Sequence, residues 1–261
     1  MNPIFFGRSP KSLFGVYHPP KATQARATGV VLCYPFGQEY MRAHRAFRQM
    51  ALLLSKAGFH VMRFDYSGTG DSSGDATEVS LADWVEDAGA AADELKETAE
   101  IERMAFVGLR LGASIAAMAA ADRPDVTDVV LWDPAVRGAD YLGEILKERT
   151  DSAGNSRLSG LEGSTVGVMG FPVTSSLRAE LLALDLTQVA PPRGRSARVV
   201  IASHARADYE ELGRRDIDGA RATFQLVPSE GSWNEVDDFG GALIPVFLIQ
   251  AIVAHLSAEA P

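Results

Sequence analysis

The stretch MAFVGLRLGASIAAMAAA, residues 104–121, decides the fold. It opens on an apolar run with strand character and closes on an alanine-rich run with helix character. Between the two stands Gly108-Leu109-Arg110-Leu111-Gly112. Glycines two residues either side of a central side chain let a strand turn sharply into a helix, so that the central residue projects above the end of the sheet. That residue is Arg110, a permanent cation with no lone pair. It stands where free backbone N–H groups and the helix dipole already favour negative charge, so a fixed anion is expected nearby.

Outward from this turn the chain alternates. Upstream, residues 29–33 form a β-rich run, residues 44–56 have helical spacing at Phe47, Met50, Ala51 and Leu54, and residues 59–64 form another run. A helix over 81–98 leads to the strand at 104–107, and the helix over 111–121 leads to a strand at 129–132. Residues 4–6 and 13–18 read as an antiparallel pair, separated by the turn-forming RSPKS. The pattern fails over 138–192, where DSAGNSRLSGLEGS is polar and rich in Gly and Ser, and VGVMGF and a short helix follow. Strands at 198–202 and 222–227 and a helix at 242–255 restore it. The expected architecture is α/β: a mostly parallel twisted sheet with helices on both faces, formed by 1–137 and 193–261, with 138–192 inserted as a lid in a single domain.

The 261 residues suit one large domain, and 46% hydrophobic with 23% charged residues is ordinary globular composition. A formal charge of -9 repels a phosphate backbone or an anionic membrane surface, so neither nucleic acid nor membrane is an expected partner. The single cysteine, Cys33, excludes an internal disulfide framework and a thiolate-rich zinc site and fits a reducing cytoplasm. No metal or other cofactor is expected. The N-terminal MNPIFFGRSP lacks the pattern of a secretory leader, and the apolar run at 242–253 is broken by Pro245 and Gln250.

The turn at Gly108–Gly112 has the geometry of a nucleophile elbow, G-x-S-x-G. With YPFGQEYMRAHRAFRQ (34–49), FDYSGTGDSSG (64–74) and VGLRLGAS (107–114), the chain resembles the α/β-hydrolase fold over nearly its whole length, and within that fold serine aminopeptidase-like and exosortase-associated hydrolase-like proteins. The resemblance implies a nucleophile at Arg110, an acid at Asp208 in HARAD, an oxyanion-hole loop at YPFG, and a histidine in PSEGSWNEVDDF, where Ser232 and Trp233 stand instead. The histidines are His18, His44, His60, His204 and His255, and none matches that place. Acyl transfer by a Ser-His-Asp triad through the elbow is therefore not expected.

The anion expected beside Arg110 is an internal carboxylate, Glu39 or Asp208 and then Asp133, or else the carboxylate or phosphate of a ligand. Phe36, Gly37, Arg110, Leu111 and Trp233 are the candidate binding residues. His44, placed in the loop before the first helix, joins Glu39, Asp133 and Asp208 as candidate acid/base groups. The glycines of SGTGDSSG read as turn chemistry and not a phosphate loop, Ser114 as a packing residue, and Cys33 as a buried hydrophobe. Three functions remain open: a degenerate hydrolase binding an acyl or carboxylate-bearing small molecule or a partner, a non-classical hydrolase, lyase or cyclase with Arg110 as anion anchor, and an assembly subunit with a vestigial pocket.

Overall fold

The computed structural model describes residues 1–7, 11–151, 165–168, 171–191, 197–214, 221–229, 233 and 244–258. The β-rich runs are strands β1 (Asn2–Phe6), β2 (Leu13–His18), β3 (Thr28–Cys33), β4 (His60–Phe64), β5 (Arg103–Leu109) and β6 (Val126–Trp132), then β7 (Val166–Val168), β8 (Phe171–Val173), β9 (Ala197–Ala202) and β10 (Arg221–Leu226). Eight of them form one sheet in the order β1-β2-β4-β3-β5-β6-β9-β10, and β7 and β8 pair separately as an antiparallel ribbon. The pairs β1–β2 and β2–β4 are antiparallel and every other pair in the large sheet is parallel.

The helices are α1 (Gln38–Lys56), α2 (Leu81–Ala99), α3 (Leu111–Ala120), α4 (Gly138–Asp151), α5 (Ser175–Ala183), α6 (Ala207–Arg214) and α7 (Val246–Ala258). Helix α1 packs with α7, and α2 with α3. Val30, Val31, Leu32 and Cys33 are all fully buried, as expected of a parallel strand covered on both faces. Helix α2 starts at a capping box in which Ser80 and Asp83 satisfy each other's backbone N–H groups. Helix α3, LGASIAAMAA, is buried almost all round, and its small side chains let it lie against both the sheet and α2. Ser114 donates to the Ala135 carbonyl at 2.6 Å, a satisfied packing role.

The chain runs from β3 outward to β4 and returns through α2 to β5 on the other side of β3. The C-terminal ends of β3 and β5, where Cys33 lies opposite Gly108, therefore flank the crevice in which open α/β sheets place their ligands.

Several elements depart from the sequence reading, among them the last helix, which runs Val246–Ala258 and not 242–255. Helix α1 begins at Gln38, not at 44, because Gly37 at φ 66 makes the turn and the helix follows at once. Its first turns bury the polar Glu39 and Arg42, which hid the apolar periodicity. His44 consequently lies within a helix and not in the loop before it. Segment 138–192 carries α4, the β7–β8 ribbon, α5 and a 3-10 turn at Leu186–Gln188, and none of its described strands joins the large sheet. The Gly/Ser-rich stretch from 152 to 164 and Ser232 lie outside the described residues. Gly68, Gly70 and Gly74 all have positive φ, so they serve the turn after β4. Among the described residues no helix is long and apolar enough to cross a membrane.

Candidate functional site

Arg110 sits at φ 55 and ψ -120 between β5 and α3. A non-glycine residue held there is strained, and close packing of the chain on both sides enforces it. A Cβ on Gly108 would run into the Gly112 carbonyl, and one on Gly112 would run into the Cys33 and Tyr34 carbonyls. The backbone of Arg110 is also fixed: its N–H donates to Trp132 at 3.0 Å, and its carbonyl accepts from Ala113 and Ala135 at 3.1 Å. The turn therefore aims one side chain at the crevice.

That side chain is 7% exposed. Its Nε donates to Glu39 Oε1 at 2.9 Å and its Nη2 to Glu144 Oε2, and its guanidinium lies 5.4 Å from the centre of the Tyr141 ring. Tyr141 Oη donates to the second oxygen of Glu39 at 2.9 Å. Glu144 also accepts from Arg206 at 3.1 Å, and Arg206 grips both oxygens of Asp208 at 3.0 and 2.8 Å. Five charged groups thus form one chain, Glu39–Arg110–Glu144–Arg206–Asp208. Burial pushes the Glu39 carboxyl up from its ordinary pKa, against the pull of Arg110 and Tyr141. Burial likewise opposes the charge on Arg110, but Glu39 and then Tyr209 and Glu144 outweigh it and hold the guanidinium protonated.

Asp208 does not reach Arg110, contrary to expectation, because Arg206, two residues before it, occupies its carboxylate. Asp133 does not reach it either: at φ 41 it is buried, and its Oδ1 accepts from the N–H and Oγ of Ser203 at 2.7 and 3.0 Å. His44 stacks on Tyr34 with ring centroids 6.1 Å apart and meets Tyr40 edge-on; among the described residues it makes no hydrogen bond into the Arg110 cluster. The sequence reading missed Glu144, Tyr141 and Arg206. Tyr141 and Glu144 are three residues apart on α4, one helical face, a signal obscured because 138–192 was read as an irregular insertion.

Asp133 Oδ2, Tyr209 Oη and Trp132 Nε1 are buried without a hydrogen-bond partner among the described residues. Ser203 Oγ also lies 2.9 Å from His204 Nδ1. Cys33 is fully buried, and burial pushes its thiol up to about 12. Among the described residues no group of three or more His, Cys, Asp or Glu side chains is placed to hold a metal ion.

Beside the elbow a cavity of about 340 Å³ opens at the ends of β3 and β4. Tyr34, Phe36, Tyr40, Tyr66, Trp84 and Phe171 give it aromatic walls. Phe36 and Gly37 line it, whereas Arg110, Leu111 and Trp233 do not. Leu111 is buried in α3, and Trp233 packs edge-on against Trp132 at 5.2 Å.

The sequence profile of a family described as serine aminopeptidase, S33, matches residues 27–159. No curated protein matches significantly. Solved structures do. A hypothetical protein of Pseudomonas aeruginosa is similar at 15% identity and a TM-score of 0.68, over 99% of this chain and 93% of the other. Est1E of Butyrivibrio proteoclasticus, with ferulic acid bound, is similar at 13% identity and a TM-score of 0.66, over 98% and 96%. A serine hydrolase without lid from Xanthomonas campestris is similar at 16% identity and a TM-score of 0.62, over 100% and 96%. At such identities the likeness carries the fold and nothing finer.

Proposed function

Because the chain belongs to the serine aminopeptidase (S33) family of α/β hydrolases and carries a locked arginine at its elbow, we propose that it is a degenerate member that binds a small molecule instead of hydrolysing one. The observation that carries this reading is the Arg110 ion pair: a buried guanidinium engaged by Glu39 and Glu144 occupies the place from which a nucleophile would act. Arginine cannot supply that nucleophile. The histidines give no base beside it either. His18 accepts from Arg63, His60 pairs with Tyr17, His44 packs on Tyr34, His204 bonds Ser203, and His255 lies 3.7 Å from Asp128. Since Arg110 is already paired, the ligand is held by its acyl or other apolar part and not by a carboxylate on Arg110. In this reading 138–192 acts as a cap, with Glu144 holding α4 to the elbow and Phe171 closing one wall of the cavity.

The test is turnover of p-nitrophenyl acetate and butyrate. Release no faster than in buffer is expected, and a robust rate abolished by Arg110→Ala would overturn the proposal. One observation favours a second reading, an active hydrolase: Ser203 Oγ lies within reach of both Asp133 and His204, a hydroxyl beside an acid and a base. A rate lost in both Ser203→Ala and His204→Ala would put that reading in place of the first.

A further inference from the structure

We propose that the aromatic cavity beside the elbow is a binding site for an uncharged aryl group of one or two fused rings, carried by a small molecule. This rests on the reading of the chain as a binding protein and names its ligand class. The walls come from five elements or their flanking loops: Tyr34 and Phe36 after β3, Tyr40 in α1, Tyr66 after β4, Trp84 in α2 and Phe171 in β8. At about 340 Å³ the cavity is near the lower end of small-molecule sites, room for a compact ring system and little more.

The side-chain polar groups of these walls already have partners. Tyr34 Oη accepts from Arg63 at 3.0 Å, Tyr40 Oη donates to Asp65 at 3.0 Å, and Tyr66 Oη donates to the Tyr34 carbonyl at 3.3 Å. Trp84 Nε1 donates to the Ser67 carbonyl at 3.2 Å, and Thr69 Oγ1 to the Tyr66 carbonyl at 2.8 Å. What faces the ligand is therefore mostly carbon. Among the described residues no lysine or arginine lines the cavity, and the nearby Arg63 and Arg110 are engaged, Arg63 by Tyr34 and His18 and Arg110 by two glutamates. The carboxylates behind the walls are committed as well, Asp65 to Tyr40 and the Asp71 N–H, Asp87 to Ser67. An anion would lose its hydration without a charged partner, and a cation would have the ring faces alone.

The rings favour an aryl group over a flexible chain because they present both edges and faces. Tyr34 and Tyr40 meet at 62° with centroids 4.9 Å apart, and Phe36 and Phe171 at 64° and 6.0 Å. A flat guest completes such edge-to-face sets, and it loses less conformational freedom on entry than an alkyl chain of similar volume.

Titration calorimetry of the full chain with 2-naphthol, 2-naphthoate, 1-decanol and tetramethylammonium tests the proposal. Saturable binding of 2-naphthol is expected, with each of the other three weaker by about tenfold or more. Ala76→Phe, which adds a ring at a partly exposed lining position, and Phe171→Ala, which removes a wall, should each weaken 2-naphthol by about tenfold or more. A folded variant, identified by an unchanged cooperative melt, decides the matter if the other fails to fold. No saturable binding of 2-naphthol, equal or tighter binding of any of the other three, or indifference to a folded variant would overturn the proposal. Failure of the wider reading shows elsewhere, as ester hydrolysis lost in Arg110→Ala or in both Ser203→Ala and His204→Ala. Failure of this inference shows as absent or misplaced binding in a chain that still hydrolyses nothing.

Discussion

Arg110 carries two costs at once, a backbone at φ 55 and a guanidinium taken out of water, and its neighbours offset both. The need for an anion beside it was readable from GLRLG alone, and Glu39 was readable because the segment carrying it follows the adjacent strand. Asp208 was the natural second choice from the family pattern, but a local pair competes for it: Arg206, two residues away, takes that carboxylate. A second buried group shows the same competition between burial and charge. His18 is 2% exposed and accepts from Arg63 Nε at 3.1 Å, so it is neutral at that nitrogen. Burial, with Arg63 adding to it, lowers its pKa to about 4. Unfolded, the imidazole titrates at about 6.5. Between those values the unfolded chain binds the extra proton, so the stability that neutral His18 contributes is whole above about pH 6.5 and is lost as pH falls toward 4. Urea melts at a series of pH values should show stability falling through this window in the wild type and a shallower fall in His18→Gln, which keeps an acceptor but cannot titrate. Equal slopes would show that His18 is not the group responsible.

Among the elements, α4 is the one whose role the sequence concealed. A polar helix beside a Gly/Ser-rich stretch reads as a loose insertion, and its pattern becomes informative only when Tyr141 and Glu144 are seen to share a face toward Arg110. Helix α1 was shortened for a related reason, since buried Glu39 and Arg42 break the apolar spacing that marks a helix start. Strands were more legible, because a strand buried on both faces is a continuous run of β formers and needs no phase. Glu144 links the β5–α3 turn to Arg206 after β9 and holds α4 across the gap, while its side chain is 35% exposed. Glu144→Gln should therefore cost only about 1 kcal/mol, a contribution that added salt diminishes in the wild type. Amide exchange should quicken in α4 before it does in β5 or β6. Exchange that is unchanged in α4, or raised equally throughout, would argue against Glu144 as the clasp.

For the whole molecule, the alternation of strands and helices made the parallel sheet and its crevice legible, because both follow from local pattern and chain connectivity. The aromatic cavity was not legible in the same way. Its walls come from residues spread between Tyr34 and Phe171, and only Phe36 and Gly37 were singled out, through the loop they belong to. In the proposed reading the elbow is a structural ion pair, and a double-mutant cycle in urea between Arg110→Met and Glu39→Leu tests this most directly. Each single change strips a partner from a buried charge and should destabilise the fold by about 3 kcal/mol or more, while the double change leaves no such charge between them and should recover most of that loss. A fold no less stable in Arg110→Met alone, or losses that simply add in the double variant, would contradict it.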